Sequence, residues 1–241
     1  MSELVFISFF NYGGIELAKN HIESLKRNGI NNYIAFVTDQ ESYNHLLNFG
    51  YKVSLYNESD NNISSEKLNF CSDQFNKMCY IRYFVINQLL KQGKIVWLLD
   101  IDTVVLGDLN QYYNNVQSNQ YDICFQDDVN MLCCGCMLFH PNPNTIQLTE
   151  FMFQQQNERD NDQIIMNRIL GNGQFKVGVF AQRQFPNGLL FFNELSENPM
   201  YREKQLEFRN SNEPILFVHA NWMVGIDTKI KALKDNNLWF I

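Results

Sequence analysis

The chain has 241 residues, 45% of them hydrophobic, with 19 Lys and Arg against 26 Asp and Glu and a formal net charge of −7. That is enough apolar material for one large α/β domain, and the absence of a dense Lys/Arg block argues against a nucleic-acid partner. The longest apolar runs, such as Ile95–Leu99, fall far below the ~20 residues of a membrane span, so none is expected.

LVFISFF (4–10) reads as a first strand. The N-terminus has neither the basic start nor the small-residue cleavage site of a secretory leader, which favours a cytoplasmic protein, or one whose targeting segment has been removed. NYGG breaks the strand. IELAKNHIESLKRNG then sets Ile15, Ala18, Ile22 and Leu25 at helical spacing and stops at Gly29. YIAFVTD (33–39) is a second strand, ESYNHLLNFG (41–50) a short helix, and YKVSLY (51–56) a third strand. This alternation predicts a parallel sheet with crossover helices, and a ligand beyond the carboxyl ends of its strands. Residues 57–69 are an Asn/Ser-rich loop. Residues 73–92 form a long helix with Met78, Ile81, Val85 and Leu89 on one face, ended by Gly93.

Five hydrophobics, Ile95 to Leu99, follow as a strand buried on both faces. It ends in Asp100 and Asp102. After a polar excursion (108–120) come strands at 121–125 and 133–139, a helix beginning near PNPNTIQL, and another over 161–170. PILFVHANWMVG (214–225) starts as an apolar strand, and KIKALK (229–234) is a basic stretch. No linker divides the chain, so a single domain is expected over 1–241. Of the six cysteines, Cys71 and Cys79 fall in a helix-like segment and Cys124, Cys133, Cys134 and Cys136 on strands, the pattern of reduced, buried thiols. CCGCMLFH lacks the second knuckle of a structural zinc site.

Carboxylates are rarely buried unless they are paired or bind a metal. Strand alternation aims Asp100 and Asp102 to one side, where they can hold Mn²⁺ or Mg²⁺, which in turn takes phosphate oxygens. An ion pair with a neighbouring Lys or Arg is the plain alternative. A second D-x-D, at 160–162, lies in polar surroundings at a helix start, where acidic residues serve as caps. LLDIDTVV also fits the D-x-D-x-T motif of haloacid-dehalogenase-like phosphatases, with one Asp as nucleophile and the other as general acid. In that family the motif ends the first strand, whereas here three strands precede it, and Asp127–Asp128 has no suitable apolar run after it.

The order Asn–Tyr after the first strand, ESLKRNGI, YIAFVTD, a helix with Arg82, LLKQGKIVWLLDIDTVVLGD, FHPNP, NDQIIMN and HANWMVG followed by Lys is strong as a set. Over roughly residues 4–235 it resembles the nucleotide-diphospho-sugar transferase family that includes plant xylosyl- and arabinosyltransferases, D-x-D enzymes of the GT-A fold. The resemblance implies one α/β domain with a Rossmann-like, mostly parallel central sheet flanked by helices. Residues 1–107 would be its nucleotide-binding half and 108–241 its acceptor and metal half. It implies a metal-dependent glycosyltransferase moving a sugar from a nucleotide sugar, a UDP-sugar, to a hydroxyl acceptor such as a glycan. The alternative is a non-catalytic sugar-nucleotide or glycan-binding module of the same fold.

By the same resemblance Asp100, Asp102 and His219 are the ligands of Mn²⁺ (or Mg²⁺), with Asp100 also near the ribose, and Lys229 grips the diphosphate. Phe9, Asn11 and Tyr12 receive the uracil, Asp39 contacts uracil or ribose, and Arg82 reaches donor sugar or phosphate. Asp162 and Gln163 match a D-Q pair that binds donor hydroxyls or faces the reacting carbon. An inverting reaction needs a carboxylate base, for which Asp162, Asp127 and Asp128 are candidates, while a retaining one can use a phosphate oxygen. The sequence leaves that choice open. Cys133–Cys134–Gly135–Cys136 stands where the family has Asn–small–Gly–aromatic, so donor and acceptor preference is the part that transfers least.

Overall fold

The structure is a computed structural model that describes residues 2–57, 62–115, 120–156 and 160–241. Its elements, in order, are β1 (Leu4–Phe10), α1 (Ile15–Arg27), β2 (Tyr33–Val37), α2 (Gln40–Asn48), β3 (Val53–Leu55), α3 (Asp73–Lys91), β4 (Ile95–Leu99), β5 (Thr103–Val105) and α4 (Leu109–Asn115). They continue with β6 (Ile123–Asp127), β7 (Leu132–Phe139), α5 (Pro143–Gln154), α6 (Asp162–Leu170), β8 (Val177–Val179), α7 (Gly188–Phe191), α8 (Pro199–Arg209), β9 (Phe217–His219) and α9 (Ile226–Asp235). Local chemistry sets the helix starts. Ser72, Asn142, Asn161 and Asn198 each accept a backbone N–H at an N-terminus, and Pro143 and Pro199 occupy first turns.

The main sheet has the strand order β3-β2-β1-β4-β7-β6-β8. β3, β2, β1 and β4 run parallel, as the alternating pattern requires, and their carboxyl ends share one edge. β7 is antiparallel to β4 and to β6, and β8 returns parallel to β6. The expected single α/β domain with a mostly parallel sheet is therefore observed, with the reversal confined to its second half. All five residues of β4 are buried, sandwiched by core on both faces. Above it lie Val85, Ile86 and Met137, and below it Phe6, Phe180 and Phe185 beside Trp97. Helix α3 buries far more than one stripe, including Tyr80, Arg82 and Tyr83, because it packs on both α5 and the sheet.

Several elements differ from the sequence reading. β5 and β9 form a separate two-stranded antiparallel sheet, and β8, α7 and α8 occupy a stretch whose apolar pattern is too irregular to read. The basic stretch 229–234 is the body of α9. Cys71 is exposed in a turn at φ +62° ahead of α3 rather than in a helix, and the other five thiols are buried and unpaired. Within the polar loop 57–69, residues 58–61 lie outside the described residues, as do 116–119 of the excursion after β5. Among the described residues, no helix is long and apolar enough to cross a membrane.

Candidate active site

The turn that follows β4 is anchored from two directions. Asp100 N–H donates to Gly135 O of β7 at 2.8 Å, and Ala220 N–H donates to Asp102 O at 2.9 Å. Thr103 stands opposite His219 in the small sheet, which carries β9 up to the turn. Ser8 Oγ donates to Leu99 O, and Thr103 Oγ1 donates to Asp100 O, both from a buried cluster around His21. Asp100 and Asp102 thus converge because a clamped turn bends them together. The strand has already ended at Leu99, so alternation along it is not the cause.

One oxygen of Asp100, one of Asp102 and a ring nitrogen of His219 all lie within 4.8 Å of one another. His219 Nε2 is 3.2 Å from Asp102 Oδ1, and its Nδ1 is 2.8 Å from Gln126 Oε1. The Gln126 amide nitrogen donates to Phe185 O and Pro186 O, so its oxygen is the atom left to face the imidazole. This fixes Nδ1–H and turns Nε2 toward the carboxylates, the usual support of a metal-ligating histidine. A Cβ on Gly135 would stand 2.4 Å from His219 Cε1 and 2.7 Å from Asp100 Oδ2, so this glycine keeps the space between the two open. Two carboxylates and an imidazole form a donor set that can hold a divalent cation, and these residues fit one.

Cations already meet the carboxylates. Lys229 Nζ donates to Asp102 Oδ2 at 2.6 Å, and Arg82 Nη1 donates to Asp100 Oδ1 at 2.9 Å. Arg82 Nη2 also pairs with Asp162, whose Oδ2 accepts from Tyr83 Oη at 3.0 Å. Burial works to raise the Asp102 carboxyl, but Lys229 and His219 outweigh it and hold the group well below the usual carboxylate range. Asp100 goes the other way: burial raises it more than Arg82 lowers it. Burial works to lower both His219 and Lys229, but Asp102 outweighs it and raises each above its ordinary value.

The carboxyl end of β1 carries the expected nucleotide residues. Asn11 Nδ2 donates to Ser64 O and Glu66 O, each at 2.7 Å, and Tyr12 N–H donates to Asp39 Oδ2 at 2.9 Å. Asp39 also caps α2 through Ser42 N–H. Phe9 differs in placement: its ring is buried and meets Tyr56 edge-on. Asp162 is not a solvated cap. Asn161 caps α6, and Asp162 is buried against Arg82.

Asp127 and Asp128 part ways at the end of β6. Asp127 accepts from Gln182 Nε2 and Val129 N–H, with Lys204 at 3.5 Å. Asp128 instead faces the site, accepting from Trp222 Nε1 at 2.6 Å, Asn221 Nδ2 at 3.0 Å and Gln163 Nε2 at 3.2 Å. Burial raises its carboxyl above the ordinary value. Cys133 lies behind the imidazole, its Sγ 3.7 Å from His219 Nδ1. Sequence reasoning missed Gln126, although a lone amide in the apolar run ICFQD is the signal that marks it.

The nucleotide-diphospho-sugar transferase family model matches residues 28–233. A UDP-D-xylose:L-fucose alpha-1,3-D-xylosyltransferase of Arabidopsis thaliana is 25% identical over 64% of this chain and 47% of its own length. A UDP-galactose:fucoside alpha-3-galactosyltransferase of Dictyostelium discoideum is 20% identical, over 96% of this chain and 42% of its own length. The chain thus spans less than half the length of these relatives. The bifunctional glycosyltransferase WbbM superposes with a TM-score of 0.59 at 16% identity, over 96% of this chain and 50% of that one. The galactosyltransferase LgtC, solved with donor and acceptor sugar analogs, gives 0.56 at 13% identity, over 97% of this chain and 95% of that one. The architecture is the GT-A fold of these glycosyltransferases.

Proposed function

The chain belongs to the nucleotide-diphospho-sugar transferase family, and from that premise we propose that it moves a sugar from a UDP-sugar to a hydroxyl of a fucose-containing glycan. The observation that carries the reading is the convergence of Asp100, Asp102 and His219 at the carboxyl end of β4 with Lys229 beside them. A binding module would gain little from gathering two carboxylates, an imidazole and an amine at one point, with Asp102 and His219 buried, because burying charge is costly without a cation to serve. The fucose acceptor rests on the names of the relatives, which share it across two donor sugars.

Asp100, Asp102 and His219 would hold Mn²⁺ or Mg²⁺, with Gln126 orienting the imidazole. When bound, the ion supplies Lewis-acid neutralisation of the leaving diphosphate. Lys229 donates to the diphosphate once it leaves Asp102. Asn11, Tyr12 and Asp39 receive the uridine in the half that ends at residue 107, and the acceptor enters over the half from 108. Arg82 holds Asp100 and Asp162 in register, so it orients the donor's contacts and leaves the contacts themselves to them. Asp162 and Gln163 face the donor sugar. If the transfer inverts, Asp128 rather than Asp127 is the carboxylate we assign as base for the acceptor hydroxyl, a reading supported by the raised proton affinity that burial gives it; a retaining transfer would use a phosphate oxygen instead. Six unpaired cysteines suit a reducing compartment, and we place the chain in the cytoplasm.

The test is thermal unfolding with UDP, Mn²⁺, both, and UDP in excess EDTA, followed by donor turnover across a panel of UDP-sugars with methyl α-L-fucoside. Metal and diphosphate are expected to stabilise as a unit. Equal stabilisation by UDP in EDTA would sink the metal-bridged reading.

A further inference from the structure

Beside Asp128 the chain presents a surface that the donor chemistry does not use. Trp222 is 40% exposed, and its indole N–H is spent on Asp128 Oδ1. Tyr201 meets the indole edge-on, with ring centroids 5.5 Å apart, and the Tyr201 hydroxyl accepts from Asn130 Nδ2 at 2.8 Å. Met131, 37% exposed, touches Gln163 and completes the rim. Asp128 is thus the post to which both the indole and Gln163 are tied.

The backbone is strained on both sides of that post. Trp222 has φ +63° and Val129 φ +70°, the left-handed region that bulky and β-branched residues avoid. Each such residue costs about 1–3 kcal/mol and persists only where the surroundings over-determine it. Here they do. Gly188 N–H donates to Asn221 Oδ1 at 2.7 Å, and a Cβ on Gly188 would stand 1.7 Å from Asn221 O, so the loop backbone is locked against α7. Exposed apolar residues scattered singly are ordinary. An exposed indole three residues from the candidate ligand His219, held at a strained φ by the half-buried carboxylate of Asp128, is not.

A rigid aromatic face with a polar rim is what recognises one face of a pyranose: the ring C–H groups lie on the indole while the hydroxyls reach the rim. We propose that Trp222, backed by Tyr201 and aligned by Asp128, is the platform on which the acceptor sugar stacks. A 6-deoxyhexose such as fucose suits it, because its methyl group adds apolar surface for Trp222 and Met131. Stacking there brings an acceptor hydroxyl to Asp128. The assignment rests on the transferase reading given above, but binding at the platform can be read without turnover.

The experiment pairs intrinsic tryptophan fluorescence with steady-state kinetics. Trp97 is fully buried in the sheet and Trp239 packs on Lys234, so Trp222 is the indole that an acceptor can reach from this face. In wild-type protein with UDP and Mn²⁺, methyl α-L-fucoside is expected to give a saturable signal that disappears in Trp222→Phe. The acceptor KM is expected to rise about tenfold in Trp222→Ala and about threefold in Trp222→Phe, with the donor KM moving much less. Acceptor KM values within about twofold of wild type in both variants would overturn the platform. Wild-type protein that shows the Trp222 signal yet transfers no sugar would overturn the transferase reading and leave the platform standing.

Discussion

Lys229 Nζ lies 2.6 Å from Asp102 Oδ2, on the carboxylate whose other oxygen is 3.2 Å from His219 Nε2. The amine therefore occupies one side of a group that a divalent cation also requires. It acts as an internal counter-ion that metal and diphosphate together must draw away. Lys229→Ala should bind Mn²⁺ alone more tightly than wild type, because a competing charge is gone. The same variant should bind UDP in the presence of Mn²⁺ about tenfold more weakly, about 1.4 kcal/mol. Calorimetric titration of each ligand separates the two effects, and weaker Mn²⁺ binding by the variant would show that the lysine does not compete.

Gly135 has no room for a side chain between His219 and Asp100. In Gly135→Ala the methyl meets the ends of two side chains rather than backbone, so the fold should survive while the imidazole and the carboxylate are pushed apart. Mn²⁺ affinity should fall more than about tenfold, as with the loss of a group that orients metal ligands. A melting temperature close to wild type together with unchanged Mn²⁺ binding would count against Gly135 as the floor of the site.

The parallel half of the sheet was legible because β1, β2 and β4 are continuous apolar runs and α1 and α3 carry helical periodicity with glycine stops. The acidic pair was legible for a different reason: carboxylates after a fully apolar strand need a partner, and the ordered motifs pointed to His219, which the fold brings beside them. What escaped was long-range. Gln126 stands out locally as a lone amide in an apolar run, but its partner His219 lies 93 positions away and no local pattern names it. β5 is three residues long, and it becomes a strand only by pairing with β9. Asp162 looked like a solvated cap from its neighbours Asp160 and Asn161, but Arg82, far away in the sequence, draws it into the core.

Arg82 is buried and binds Asp100 and Asp162 with separate nitrogens, while Asp162 also accepts from Tyr83. Burial opposes its charge, but Asp162 and Asp100 outweigh that and raise its pKa further. Removing it strands two carboxylates. Arg82→Leu should destabilise the fold by about 3–5 kcal/mol, and Arg82→Lys should recover little, since one ammonium cannot bridge both acids with the planar fork of a guanidinium. Urea unfolding at pH 7 measures both variants. A Leu variant within about 1 kcal/mol of wild type would mean that the pair of acids is solvated instead.

His21 sits fully buried between Ser8 and Thr103, and burial pushes its imidazole down to about 4. The unfolded chain takes up this proton near the ordinary value of about 6.5, so the folded state binds fewer protons in between. The stability that a neutral His21 contributes is thus whole above about pH 6.5 and declines as the pH falls toward 4, by about 3 kcal/mol in all and about 2 by pH 5. Comparing urea midpoints of wild type and His21→Gln from pH 7 to pH 5 isolates this contribution from the carboxylates. The wild type should lose stability more steeply, and parallel curves would show that His21 is protonated in the fold.

The two loops that border the nucleotide end differ in what holds them, which decides where donor binding should be felt. Residues 64–67 are already strapped across the end of β1: Asn11 Nδ2 donates to both Ser64 O and Glu66 O, and Gly13 lets Glu66 O approach where a Cβ would stand 2.5 Å away. The stretch from Met223 to Lys229 has little of this. Val224 is 75% exposed, Gly225 sits at φ +92°, and the pair Lys67–Asp227 that links the loops is exposed on both sides, where an ion pair contributes little. Closing Lys229 onto a diphosphate therefore asks for motion about Gly225 and none near Asn11, and it would exclude water from the donor. Hydrogen exchange with and without UDP–Mn²⁺ should show added protection over 223–229 and no change over 62–67, while Asn11→Ala should speed exchange at 64–67 in both states. Protection rising equally in both loops would make 62–67 a second moving cover, and none in either would mean a preformed site.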